Sequence, residues 1–171
     1  MRASIPALFS LAAVAAANPS YGPPDENVTI TVGAGSSLDG YQLVGFVENG
    51  AGFPEFVTAA DAAEASSVFY LFYKNYGHFG WYTINIDIGN ATYATAIKDE
   101  AFQGPIVFID PETYGTSIWS AETATSALTW TGDPSDFPYA CTNDGHIQLA
   151  IYTPGTQPAN CEQITLEFQK A

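Results

Sequence analysis

Short runs of β-branched and aromatic residues alternate with polar ones at a period of two and are broken repeatedly by Gly, Pro, Asn or Asp; no other feature constrains this chain as strongly. Successive side chains of an extended strand point to opposite faces, so each run has one face to bury and needs other strands to bury it against. Nine strands are predicted, over 28–32, 41–47, 68–73, 81–88, 91–97, 105–109, 128–131, 147–152 and 164–168. Nine short strands predict a single all-β domain, compact and β-trefoil-like, with a two-sheet β-sandwich as the alternative. The trefoil is preferred on an internal period: Val68-Phe69-Tyr70-Leu71, Pro105-Ile106-Val107-Phe108 and His146-Ile147-Gln148-Leu149 begin 37 and then 41 residues apart. One segment, 59–67, has helical propensity, with Thr58 available as N-cap. It is expected to form at most two turns of helix, against a competing loop that sets Ala65 inward.

The chain opens with Arg2, an apolar run over 7–17 and the small residues Ala15-Ala16-Ala17. This pattern predicts a secretory signal peptide over 1–17, an extended N-terminal segment over 18–26 and the domain over 27–171. The apolar run falls short of the roughly 20 residues that span a bilayer. The expected location is therefore extracellular. Removing 17 residues leaves 171 − 17 = 154. These retain Lys74, Lys98 and Lys170 against 18 acidic residues, a formal charge of 3 − 18 = −15. Three scattered lysines cannot neutralise a run of phosphates, which argues against nucleic acid and against an anionic membrane as partners.

Cys141 and Cys161 are the only cysteines. An oxidising secretory route makes their pairing the default expectation, and the closed loop would stabilise the fold by roughly 3 kcal/mol. Asn27-Val28-Thr29 and Asn90-Ala91-Thr92 are acceptor sequons that place Asn27 and Asn90 among candidate glycosylation sites.

Catalytic chemistry is thinly provided. No Gly-x-Ser-x-Gly occurs, and the two histidines, His78 and His146, read as surface or turn residues rather than as bases or metal ligands. Hydrolysis of a glycoside needs a pair of carboxylates, for which Asp87, or Asp110 with Glu112, are candidates that read more simply as solvated residues. Asp133, Asp136 and Asp144 lack the register of a calcium loop, and the 133–136 segment reads as a turn. No catalytic residue, metal or cofactor is expected.

The unusual feature is aromatic. Phe69, Tyr70, Phe72, Tyr73, Tyr76, Phe79, Trp81 and Tyr82 fall within fourteen residues, on both faces of the segment. A strand buries one face well, so the surplus either packs under a loop or forms a flat platform suited to sugar rings. Tyr73, Tyr76, Trp81 and Tyr82 are the candidate carbohydrate-binding residues, whereas Trp119 and Trp130 are expected in the core. The expected function is non-catalytic binding of a carbohydrate or cell-wall surface. A glycoside hydrolase with a carboxylate pair, and a secreted effector or structural protein that contacts another protein, are the alternatives.

Asn49-Gly50-Ala51-Gly52 after a strand led by Leu43, then Phe69-x-Leu71, and finally Cys141, Gln148-Leu149 and Cys161-x-x-Ile164-x-Leu166 resemble an uncharacterised family of small secreted fungal proteins. The resemblance implies an extracellular β-domain with a C-terminal disulfide and transfers no catalytic residue. Phe137 and Tyr139 stand where that family usually places a Trp before the first cysteine.

Overall fold

A computed structural model describes residues 27–48, 51–63, 65, 67–73, 81–88, 91–97, 103–109, 119–122 and 124–171. Thirteen strands are present among them: β1 (Asn27–Val32), β2 (Gln42–Glu48), β3 (Ala51–Val57), β4 (Phe69–Tyr73), β5 (Trp81–Ile88), β6 (Ala91–Ile97), β7 (Gly104–Ile109), β8 (Trp119–Glu122), β9 (Ala127–Trp130), β10 (Phe137–Asn143), β11 (His146–Tyr152), β12 (Cys161–Gln163) and β13 (Leu166–Lys170). The single short helix, α1 (Ala59–Ala62), follows Thr58, whose side chain accepts from the Asp61 backbone N–H. Ala62 is the buried residue of this turn and Ala65 is exposed, so the alternative that set Ala65 inward is corrected.

Ten strands close into a barrel in the order β1-β2-β3-β11-β7-β6-β5-β8-β9-β13 and back to β1. Closure replaces the sandwich expectation: a sandwich keeps two separate sheets with free edges, whereas every strand of this ring has a neighbour on each side. A shorter circuit, β1-β4-β5-β8-β9-β13, also closes. Both circuits exist because some strands fork. One edge of β1 pairs with β13, while the other meets β4 at Asn27 and Val28 and β2 at Thr31. In the same way β5 meets β8 at Trp81 and Tyr82 and β6 from Asn85 to Ile88.

The hairpins β2–β3, β6–β7 and β10–β11 touch one another pairwise through Gly52 opposite Phe108, Ala150 opposite Pro105, and Gln148 opposite Glu55. The approach needs small residues at its contacts. A Cβ on Gly52 would lie 2.9 Å from Phe108 Cδ2.

The core follows the period of two. Val28, Ile30 and Val32 of β1, Phe69 and Leu71 of β4, Tyr82, Ile84 and Ile86 of β5, Trp119 of β8, Leu128 and Trp130 of β9, and Leu166 and Phe168 of β13 are buried in one cluster. Leu43, Phe56, Ile106, Leu149 and Ile151 add to it from the hairpins. Each large apolar side chain so enclosed contributes about 1.5–3 kcal/mol by leaving water.

Candidate functional site

Two concavities flank the C-terminal hairpin, and the disulfide builds the first. Cys141 on β10 and Cys161 on β12 are opposite in register and bonded to each other. β12 has only three residues, too few to hold a ladder alone, and the cross-link fixes it against β10. The chain between β11 and β12 carries Pro154 and Pro158, and turns through Gly155 at φ +91°. It is pinned by Asn160, whose Nδ2 donates to the Thr142 carbonyl at 2.6 Å and to Asn143 Oδ1 at 2.9 Å.

The result is a cleft of about 230 Å³ on the outer face of the hairpin. Its floor consists of small groups, Ala150 and the two cysteines, and its walls include Tyr152, Pro105 and Pro158. Asn143, Gln148 and Asn160 bring three carboxamides to it, and no charged side chain lines it among the described residues. Asn143 Nδ2 lies 3.5 Å from Gln148 Oε1, too long to engage the Gln148 amide firmly. Tyr152 packs edge to face on Tyr139, with centroids 6.0 Å apart. Burial pushes both phenols above the ordinary tyrosine value, so they remain neutral hydroxyls.

The second concavity is a groove of about 510 Å³ between β9, the start of β10 and the β12–β13 connection. Trp130, Leu128, Ile164 and Leu166 supply its apolar surface, and Phe137, 39% exposed, stands at it. Asp136 also lines the groove although only 5% exposed, and it closes the turn expected over 133–136, its backbone N–H donating to the Asp133 carbonyl at 3.1 Å. Asp136 Oδ1 accepts from the Thr153 hydroxyl at 2.5 Å, and Gln103 Nε2 donates to Thr153 Oγ1 at 2.7 Å.

Of the four candidate platform residues, Tyr82 is the one whose side chain is among the described residues. Tyr82 is 2% exposed and belongs to the core, so its ring is unavailable to a ligand. β4–β5 pairing sets Tyr73 opposite Tyr82, and Trp81 is opposite Ser120. Tyr76 and the side chains of Tyr73 and Trp81 lie outside the described residues, as do Asn90, His78, Asp110 and Glu112. Asn27 is exposed at the start of β1. Asp87 is exposed and accepts from Thr92 Oγ1 at 2.6 Å across the β5–β6 hairpin. His146 Nδ1 lies 2.9 Å from Glu55 Oε1, and its ring packs on Phe46, with centroids 4.8 Å apart. No group of three or more His, Cys, Asp or Glu able to hold a metal ion occurs among the described residues.

Sequence reasoning missed Asn143, Gln148, Tyr152 and Asn160. The usable signal was the pair of cysteines: once Cys141 and Cys161 are joined, Asn143 two residues after one and Asn160 just before the other must be neighbours. Compared with protein-family models and with curated proteins, the chain matches none.

Proposed function

We propose that this is an extracellular, non-catalytic carbohydrate-binding domain with a trefoil plan, and that its sugar site is the cleft over the Cys141–Cys161 bridge. The architecture is supported by the short closed circuit together with the three mutually touching hairpins: β1–β4, β5–β8 and β9–β13 each supply ring strands and one hairpin. Secretion rests on the N-terminal signal pattern, and Asn27 and Asn90 carry glycan in the exported chain.

The observation that carries the binding reading is the composition of the cleft. Three carboxamides lie beside Tyr152 over a floor of small residues; Asn160 spends its N–H donors on Thr142 and Asn143, which leaves the Gln148 carboxamide and the Asn143 amide group to meet a ligand. A sugar offers the complement, hydroxyls at its edges and C–H groups on its faces. A volume of about 230 Å³ lies below the range of roughly 300–1,000 Å³ typical of drug-sized ligands, which suits one sugar ring rather than a buried oligosaccharide. The uncharged lining suits a neutral sugar. Hydrolysis would need two carboxylates, and none lines the cleft among the described residues.

The test is a glycan array probed with the glycosylated, disulfide-intact protein. Neutral polysaccharide should be retained, and Asn143→Ala should weaken retention by roughly three- to tenfold, as expected for one hydrogen bond. Failure to bind any polysaccharide overturns the reading.

A further inference from the structure

We infer that the groove walled by Trp130 and Phe137 is a second, independent ligand site, selective for a small organic cation: a protonated amine carried on an aromatic or aliphatic body.

Three observations lead there. The first is Asp136, a carboxyl nine-tenths and more buried yet lining an open groove. Among the described residues the one hydrogen bond that its side chain receives comes from Thr153, a neutral hydroxyl, and goes to Oδ1. That hydroxyl has a single proton, which it gives to Oδ1 while accepting from Gln103, so Thr153 holds the carboxyl in place and leaves the second oxygen without a hydrogen bond among the described residues. Thr156 Oγ1, 2.9 Å from the Thr153 carbonyl oxygen and 3.2 Å from Gln103 Oε1, shares its one proton between them and extends the brace. A buried carboxylate without a cation is costly, and an ammonium group is the partner that offsets that cost most effectively.

The second observation is the rest of the lining. Trp130, Phe137, Pro138, Ile164 and Leu166 make the groove predominantly apolar, and no Lys, Arg or His lines it among the described residues. A volume of about 510 Å³ falls within the range of small-molecule sites. A ligand that fits must therefore be apolar along its body and cationic at one end, which excludes the neutral sugar assigned to the cleft. The aromatic walls also favour a cation over a neutral group.

The third is the field around the groove. Asp133 lies three residues before Asp136 on the same turn, and Ser135 donates to it both through its hydroxyl and through its backbone N–H at 2.8 Å. With 18 acidic residues against 4 basic ones, the chain attracts small cations and repels anions.

The experiment compares 2-phenylethylamine with its neutral analogue 2-phenylethanol on the disulfide-bonded protein, by isothermal titration and by NMR shifts at Thr129, Gln163 and Thr165. The amine should bind at least about tenfold more tightly than the alcohol, with shifts confined to the groove. Asp136→Asn should abolish that preference, and Phe137→Ala should weaken both ligands. Should Asp136→Asn fail to fold, the wild-type comparison and Phe137→Ala decide the matter. Equal binding of amine and alcohol, a preference that survives Asp136→Asn, no binding of the amine to folded protein, or binding only of a lysine-containing peptide would each overturn the proposal. Because the glycan array reports on the cleft and this titration on the groove, either reading can fail alone.

Discussion

Trp119 and Trp130 stand opposite each other across the β8–β9 ladder, with ring centroids 5.5 Å apart and planes inclined at 75°. Both are buried, and Trp130 also lines the groove, so one side chain belongs at once to the core and to the lining of a candidate site. The groove thereby inherits the rigidity of close-packed interior.

Truncating this pair should be expensive. Trp119→Ala removes a fully buried indole and its edge-to-face partner, with an expected loss of about 3–5 kcal/mol in urea unfolding. A loss under about 1 kcal/mol would mean that the site collapses freely or that the ring is not enclosed.

Gly132 sits against the indole of Trp130. A Cβ there would lie 2.3 Å from Trp130 Cζ2 and 2.7 Å from Cε2, ring atoms that cannot yield without moving the buried side chain. Gly132→Ala should therefore cost about 1–3 kcal/mol by overpacking, read as a lower melting temperature. An unchanged melt would show that the 131–135 loop shifts without cost.

The bridge between Cys141 and Cys161 closes a sequence separation of 20 residues. Replacing both cysteines by serine should lower stability by roughly 3 kcal/mol. Sugar retention should fall in the same variant even where the protein remains folded, because the two cysteines line the floor of the cleft and Asn160 beside Cys161 lines it as well. Unaltered retention would place the sugar elsewhere.

Glu162 receives hydrogen bonds from the Ser37 hydroxyl and, at 2.7 Å, from the Ser37 backbone N–H. These bonds hold its carboxyl below the ordinary value of 4.5, with the hydroxyl the larger cause. A carboxyl lowered by folding stabilises the native state above its unfolded value, and the contribution disappears as pH falls from 4.5 through the lowered native value. The stability advantage of wild type over Glu162→Gln should therefore be constant near neutrality and shrink on acidification. A pH-independent difference would disprove the link.

Much of the fold was legible because strands announce themselves by alternation. Val28, Ile30 and Val32, and likewise Tyr82, Ile84 and Ile86, sit at every second position and are all buried. The strands that escaped notice, β3, β8, β10 and β12, either carry residues that mimic punctuation or, like β8 and β12, are only four and three residues long. β3 contains Gly52 and Pro54, and β10 contains Pro138. Each is held by pairing with neighbours distant in sequence, and tertiary context overrides its weak propensity. Missing β3 also put the internal period out of step. Its hairpin partners in the assembly are β7 and β11, whereas the apolar run chosen from sequence for the first unit was that of β4.

Strand-rich architecture and the pairing of two cysteines follow from local rules: which way alternate side chains point, and that the chain holds just two thiols to join. Where the barrel closes, that Tyr82 packs inward instead of facing a ligand, and that Asp136 is enclosed within a turn depend on contacts between residues far apart along the chain. Exposure is a property of what lies overhead, and residues such as Thr153 and Gln103, 17 and 50 positions from the groups they bond, become neighbours only when the hairpins meet.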